Sequence, residues 1–160
     1  MGPYDIVILS RFRKLRSMNI DTGYSLNGRY PSLFHLRLLQ KLSIISCDLK
    51  WNLEMLAGLP SLKELSYFHN RSSTGGNVNS LRVLKDTLEN EKVAIEDCPN
   101  VQGNFMELAD FPRLKELHLM HTRMTGDIRD IGERDFLALE TLTLPSGVYT
   151  VELAMSPAHF

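Results

Sequence analysis

The stretch WNLEMLAGLPSLKEL at residues 51–65 returns at residues 103–117 as GNFMELADFPRLKEL. Eight of the fifteen positions are identical, and Leu59 is matched by Phe111. The offset of 52 residues equals two units of a period in the mid-twenties. A second pair, DFPRLKELHL (110–119) and DFLALETLTL (135–144), lies 25 residues apart. A fixed period of this length is the mark of stacked units that share one apolar core, because no single unit can bury its apolar face alone.

A template with leucine-like residues at positions one, four and six, and a small or polar residue at nine, places six copies. They read Leu15, Met18, Ile20, Gly23; Leu39, Leu42, Ile44, Cys47; Leu62, Leu65, Tyr67, Asn70; Asn90, Val93, Ile95, Cys98; Leu114, Leu117, Leu119, Thr122; and Leu139, Leu142, Leu144, Gly147. Fourth positions are spaced by 24, 23, 28, 24 and 25 residues, and the 26 leucines of the chain supply most of these sites. Positions four and six alternate along a short strand, so both point to one face. Stacked strands then form a parallel sheet with those two rows beneath it. The ninth side chain faces inward where the chain turns away, and Asn70 and Thr122 are expected to bond the turn's backbone there.

This spacing resembles the leucine-rich repeat, L-x-x-L-x-L-x-x-N/C-x-L. LNGRYP (26–31), VQGNFM (101–106) and MTGDIR (124–129) are similar to the L-x-G-x-I-P extension of its plant-type subclass, and the ninth-position cysteines to a cysteine-containing one. Strings such as DCPNVQGNFMELADFPRLKEL and TGDIRDIG look like those of certain algal leucine-rich-repeat proteins. The resemblance implies an α/β fold: a right-handed solenoid of about six repeats of 23–28 residues. It would carry a parallel β-sheet on its concave face, and short helices, 3-10 turns and loops on its convex face. One domain spans 1–160, with a partial repeat or cap at 1–14, repeats over 15–150 and a tail or truncated cap at 151–160. The ends are either minimal caps or cut edges of a longer array, and YDIVILSRF reads as the rear half of a preceding unit.

Cys47 and Cys98 occupy equivalent positions two units apart. At ~4.8 Å per strand their backbones stand roughly 10 Å apart, beyond the ~7 Å that a disulfide spans. Free, structural thiols follow, and no C-x-x-C or C-x-x-H spacing suggests a metal instead. The third unit is overlong: HNRSSTGGNVNS (69–80) reads as a loop, and LRVLKDTLEN, with Leu81, Leu84 and Leu88, as a short convex helix. The loop is either a partner contact or a tolerated insertion. The sequon at Asn70 is discounted, since that side chain is expected inside the turn.

Net charge is −1 with 43% hydrophobic and 23% charged residues, which excludes a disordered tail and offers no basic surface for nucleic acid. The longest apolar run, Ile6–Leu9, is far too short to span a membrane. With no secretory signal or myristoylation site legible, the expected setting is intracellular, the cytoplasm with its reduced thiols. No catalytic motif, phosphate loop or cofactor signature occurs. His118 and His121 form H-x-x-H, yet on a strand and its exit this reads as a solvated pair rather than a metal site. No metal or cofactor is expected, and no enzyme activity.

The concave face is the useful one. Positions three, five, seven and eight should point out of the sheet there, presenting Ile45, Phe68 and Met120 beside His69, His118 and His121, with Glu96 and Asp97 adding negative charge. Apolar groups within a polar rim suit a protein or peptide ligand, and Glu96 and Asp97 would meet a partner's Arg or Lys. The other reading is a structural fragment of a larger receptor or adaptor array, self-associating through uncapped ends.

Overall fold

Apolar side chains at every second residue make a strand that can be buried on one side and wet on the other. In the computed structural model, which describes residues 11–21, 36–46, 53–70, 75–86, 92–146 and 148, nine strands form. They are β1 (Ser17–Asp21), β2 (Lys41–Ile45), β3 (Glu64–Phe68), β4 (Gly76–Asn77), β5 (Lys92–Glu96), β6 (Val101–Asn104), β7 (Glu116–His118), β8 (Arg123–Thr125) and β9 (Thr141–Thr143). Six of them build one sheet in the order β1-β2-β3-β5-β7-β9, and β4-β6-β8 build a second. All described pairings are parallel. The architecture is α/β with a mostly parallel sheet, and its described helices are short 3-10 segments.

The register of the large sheet has no slip. Met18 pairs with Leu42, Leu42 with Leu65, Leu65 with Val93, Val93 with Leu117, and Leu117 with Leu142. A one-residue shift would turn every apolar side chain outward. Leu42, Leu65, Val93 and Leu117 lie beneath the sheet with Ile44, Tyr67, Ile95 and Leu119, all fully buried or nearly so. Leu39, Leu62 and Leu114 join them, as do Leu53, Leu56, Leu81, Leu84, Phe105, Leu108 and Phe111 from the segments behind. Each such side chain contributes roughly 1.5–3 kcal/mol by leaving water.

The second sheet is made differently. Each of its glycines is followed by an Asx residue and a 3-10 turn. Asn77, Asn104 and Asp127 cap Val78–Leu84, Phe105–Leu108 and Ile128–Asp130, their side chains accepting from the amides of Asn79, Met106 and Arg129. Gly103 and Gly126 have φ of +125° and +132°. A Cβ on Gly126 would sit 2.5 Å from the Phe105 ring, and one on Gly103 2.7 Å from Asn77 Oδ1.

Three sequence expectations need correction. The helix expected within LRVLKDTLEN is a 3-10 segment that starts earlier, at Val78, under the Asn77 cap; Leu81 and Leu84 are buried as expected, and Leu88 lies outside the described residues. Ala94, expected on the open face, is 1% exposed. Its methyl is short, and the residues paired with it in register are Ser66 and His118. Leu142, expected in the core, is 37% exposed: among the described residues β9 ends the sheet order and is flanked by β7 alone.

Candidate functional site

The open face of the large sheet is built by the rows that alternate with the core. Row three alternates in charge, and its acids are neutralised: Lys41 Nζ lies 2.7 Å from Glu64 Oε1, and Lys92 Nζ 2.5 Å from Glu116 Oε2. Row seven crosses the strand ends as Asp21, Ile45, Phe68 and Glu96, each paired with the next. Met120 continues it, since its carbonyl accepts from the Asp97 amide at 3.1 Å. Ile45 and Phe68 are half-buried and Met120 is 36% exposed.

Row eight is where backbone conformation aims the side chains. Ser46, His69, Asp97 and His121 all take positive φ, between 51° and 55°. Left-handed backbone is rare outside glycine, and Asn, Asp and His tolerate it best. The residue types of the row therefore fit the exit bend as well as any ligand. Three of their amides are committed: Ser46 donates to Phe68 O, His69 to Glu96 O and Asp97 to Met120 O.

This geometry gathers His69, Asp97 and His121. His69 Nδ1 stands 2.8 Å from Asp97 Oδ2, and His121 Nδ1 2.7 Å from Asp97 Oδ1. One carboxylate thus orients two imidazoles, leaving each Nε2 directed away from it. His118 stands apart in row five, with Nδ1 3.1 Å from Thr143 Oγ1 and Nε2 3.5 Å from Glu116 Oε2. The H-x-x-H residues therefore serve separate contacts rather than one centre. Among the described residues no group of three or more His, Cys, Asp or Glu side chains could hold a metal ion.

Two arrangements have the outline of acid–base machinery. Thr143, His118 and Glu116 line up a hydroxyl, an imidazole and a carboxylate, but Glu116 is held by Lys92 and its 3.5 Å approach to His118 is long. Among the described residues, the imidazoles of His69 and His121 bond no hydroxyl or thiol. Acyl transfer also needs amide donors aimed at a developing oxyanion, and the amides of Ser46, His69 and Asp97 are spent on carbonyls of the next strand or its exit.

The ninth-position side chains are structural. Asn70, 1% exposed, donates from Nδ2 to Ile44 O and Phe68 O at 3.1 and 2.7 Å. Thr122 donates to Leu119 O at 2.8 Å. Cys98 is free and fully buried, its thiol pointing at Tyr67 O and Glu96 O. Burial pushes that thiol up to about 11, so it stays protonated and unreactive. Cys47 lies outside the described residues.

All seven candidate residues, Ile45, Phe68, His69, Glu96, His118, Met120 and His121, lie on the open face or its exit row. The left-handed row and the bridging role of Asp97 escaped the sequence reading, and the one available signal was the recurrence of Ser, His and Asp at position eight. Behind the sheets lies a separate polar cluster. Arg82 forks onto both oxygens of Asp110 at 3.0 Å and Lys85 reaches Oδ2 at 2.6 Å. Arg82, then Lys85, holds the Asp110 carboxyl down to about 2. No described helix is long and apolar enough to cross a membrane. No protein-family model matches the chain, and neither does any curated protein sequence.

Proposed function

We propose that this chain is a non-enzymatic interaction module, a leucine-rich-repeat-type right-handed solenoid that binds a protein or peptide on the open, concave face of its six-stranded sheet. The observation that carries the reading is row seven: Ile45, Phe68 and Met120 keep apolar surface in contact with water. They are rimmed by His69, Glu96, Asp97 and His121. Isolated exposed apolar residues are ordinary, but an adjacent pair, Ile45 and Phe68, with Met120 across Glu96 and polar groups around them, suits a recognition surface. The slip-free register supports the repeat architecture, since stacking equivalent units brings equivalent residues into line.

A second reading is favoured by a different observation. Leu142 at 37% and Leu137 at 74% exposure leave apolar surface at the β9 end. In that reading the chain is one piece of a longer array, and the end stacks on further units.

Panning a random peptide library against the purified protein and its Phe68→Glu variant separates the two, with light scattering over a dilution series on the same samples. Peptides retained by the wild type and lost by a folded, monomeric Phe68→Glu support the interaction module. Concentration-dependent association with no peptide retained supports the array and overturns the module.

A further inference from the structure

Resting on the binding reading above, we infer that the face selects a peptide with a basic side chain, Arg or Lys, beside an apolar one. The basic group docks on Glu96, between Phe68 and Met120. The argument is charge complementarity along row seven. Most acids around Glu96 already have partners: Glu64 pairs with Lys41, Glu116 with Lys92, and Asp97 lies within hydrogen-bond distance of two imidazoles. The carboxylate of Glu96 has no hydrogen-bond or ion-pair partner among the described residues, although the residue is half-buried. A carboxylate in partly desolvated surroundings gains most from a cation that arrives with its own hydrogen-bond donors.

Its neighbours suit the stem of such a side chain. Phe68 pairs with Glu96 in register on one side, and Met120 follows on the other. Arg and Lys carry apolar stems that pack on such surfaces while the head stays polar, and a guanidinium also interacts favourably with a phenyl face. Along the same row Ile45 adjoins Phe68, and Asp21 closes the far end. Acids thus bracket an apolar pair, which is the complement of a basic residue next to an apolar residue. An acidic or purely apolar peptide would leave Glu96 unpaired under its bound ligand, at a desolvation cost.

The test uses the full chain and the same random peptide library, panned against wild type and Glu96→Gln. A synthetic peptide from the most enriched group, and its Arg- or Lys-to-Gln counterpart, are then titrated against both proteins. Enriched sequences should carry a basic residue beside an apolar one. Removing either charge should weaken binding by about tenfold or more, and removing the second should add little. Glu96→Gln is nearly isosteric on an open face, so circular dichroism should match wild type. Peptides that lack basic residues, or that bind Glu96→Gln equally while failing on Phe68→Glu, overturn the cation pocket and leave the binding module standing. No enrichment on any version overturns both.

Discussion

The two sheets of this protein are held in place by different chemistry. The large sheet is specified by side-chain volume, with rows of Leu, Ile, Val and Tyr locked in a register without slip. The small sheet is specified by backbone freedom. Gly76 pairs with Val101, two residues short of Gly103, and Gly103 pairs with Met124, two short of Gly126. Its strands are therefore stepped, and glycine with an Asx cap defines each step. Apolar burial is non-directional and large; a positive φ and a cap are local and worth less. A substitution in the rows beneath the large sheet should therefore cost more than the loss of one glycine or cap in the small one.

Leu117→Asp is the sharpest way to break the comparison. Loss of the leucine alone costs about 2–5 kcal/mol, and an unpaired buried charge adds to that. Against a typical total of ~5–15 kcal/mol, far-UV circular dichroism should show an unfolded chain. His118→Asp, one residue along on the open face, should fold and melt within a few degrees of wild type. Equal damage from both would mean that row five is core.

Gly126→Ala comes next. Holding a non-glycine residue in such a backbone costs about 1–3 kcal/mol, and the new methyl meets the Phe105 ring. The urea midpoint should fall while the transition stays cooperative. An unchanged midpoint would remove the glycine's special role. Asn104→Ala should cost about 1 kcal/mol through loss of the bond from the Met106 amide, with Asn104→Asp restoring most of it in the same urea titration.

The smallest effect belongs to Asp110. Its carboxyl is lowered by Arg82 and Lys85, so the stabilisation is complete above the ordinary value of 3.8 and is lost as pH falls through about 2. Both groups of the Arg82 pair are well exposed, so solvent screening keeps the effect small. Acid unfolding of Asp110→Asn should lack this shallow component, and added salt should mask the difference.

The large sheet was legible because its signal is dense: one leucine-like residue at each of positions one, four and six, copied along the chain. Even where the spacing is weakest, at Asn90-Val93-Ile95, Val93 and Ile95 are fully buried, as strand alternation predicts. The small sheet was harder. Gly76 and Asn77 lie in a stretch whose Ser, Gly and Asn content reads as loop, and nothing apolar marks β4. Of the candidate face, the rows followed from strand alternation. The His69–Asp97–His121 bridge did not, because it depends on side-chain directions set by the left-handed exits. Ala94 and Leu142 depart from the template at opposite extremes, one a short methyl between two flanking strands and one on the strand that ends the sheet order among the described residues.

The slip-free register also makes the open face a ruler. Strands stand ~4.8 Å apart, so Phe68 and Met120, two strands apart with Glu96 between them, are set at about 9.6 Å. A polyproline II chain rises ~3.1 Å per residue with threefold symmetry, repeating one side chain's direction every ~9.3 Å. A β-strand ligand, which repeats every two residues or ~6.8 Å, falls out of step after one interval. A ligand laid across the strands would match this spacing in the polyproline conformation, which prolines favour in advance of binding.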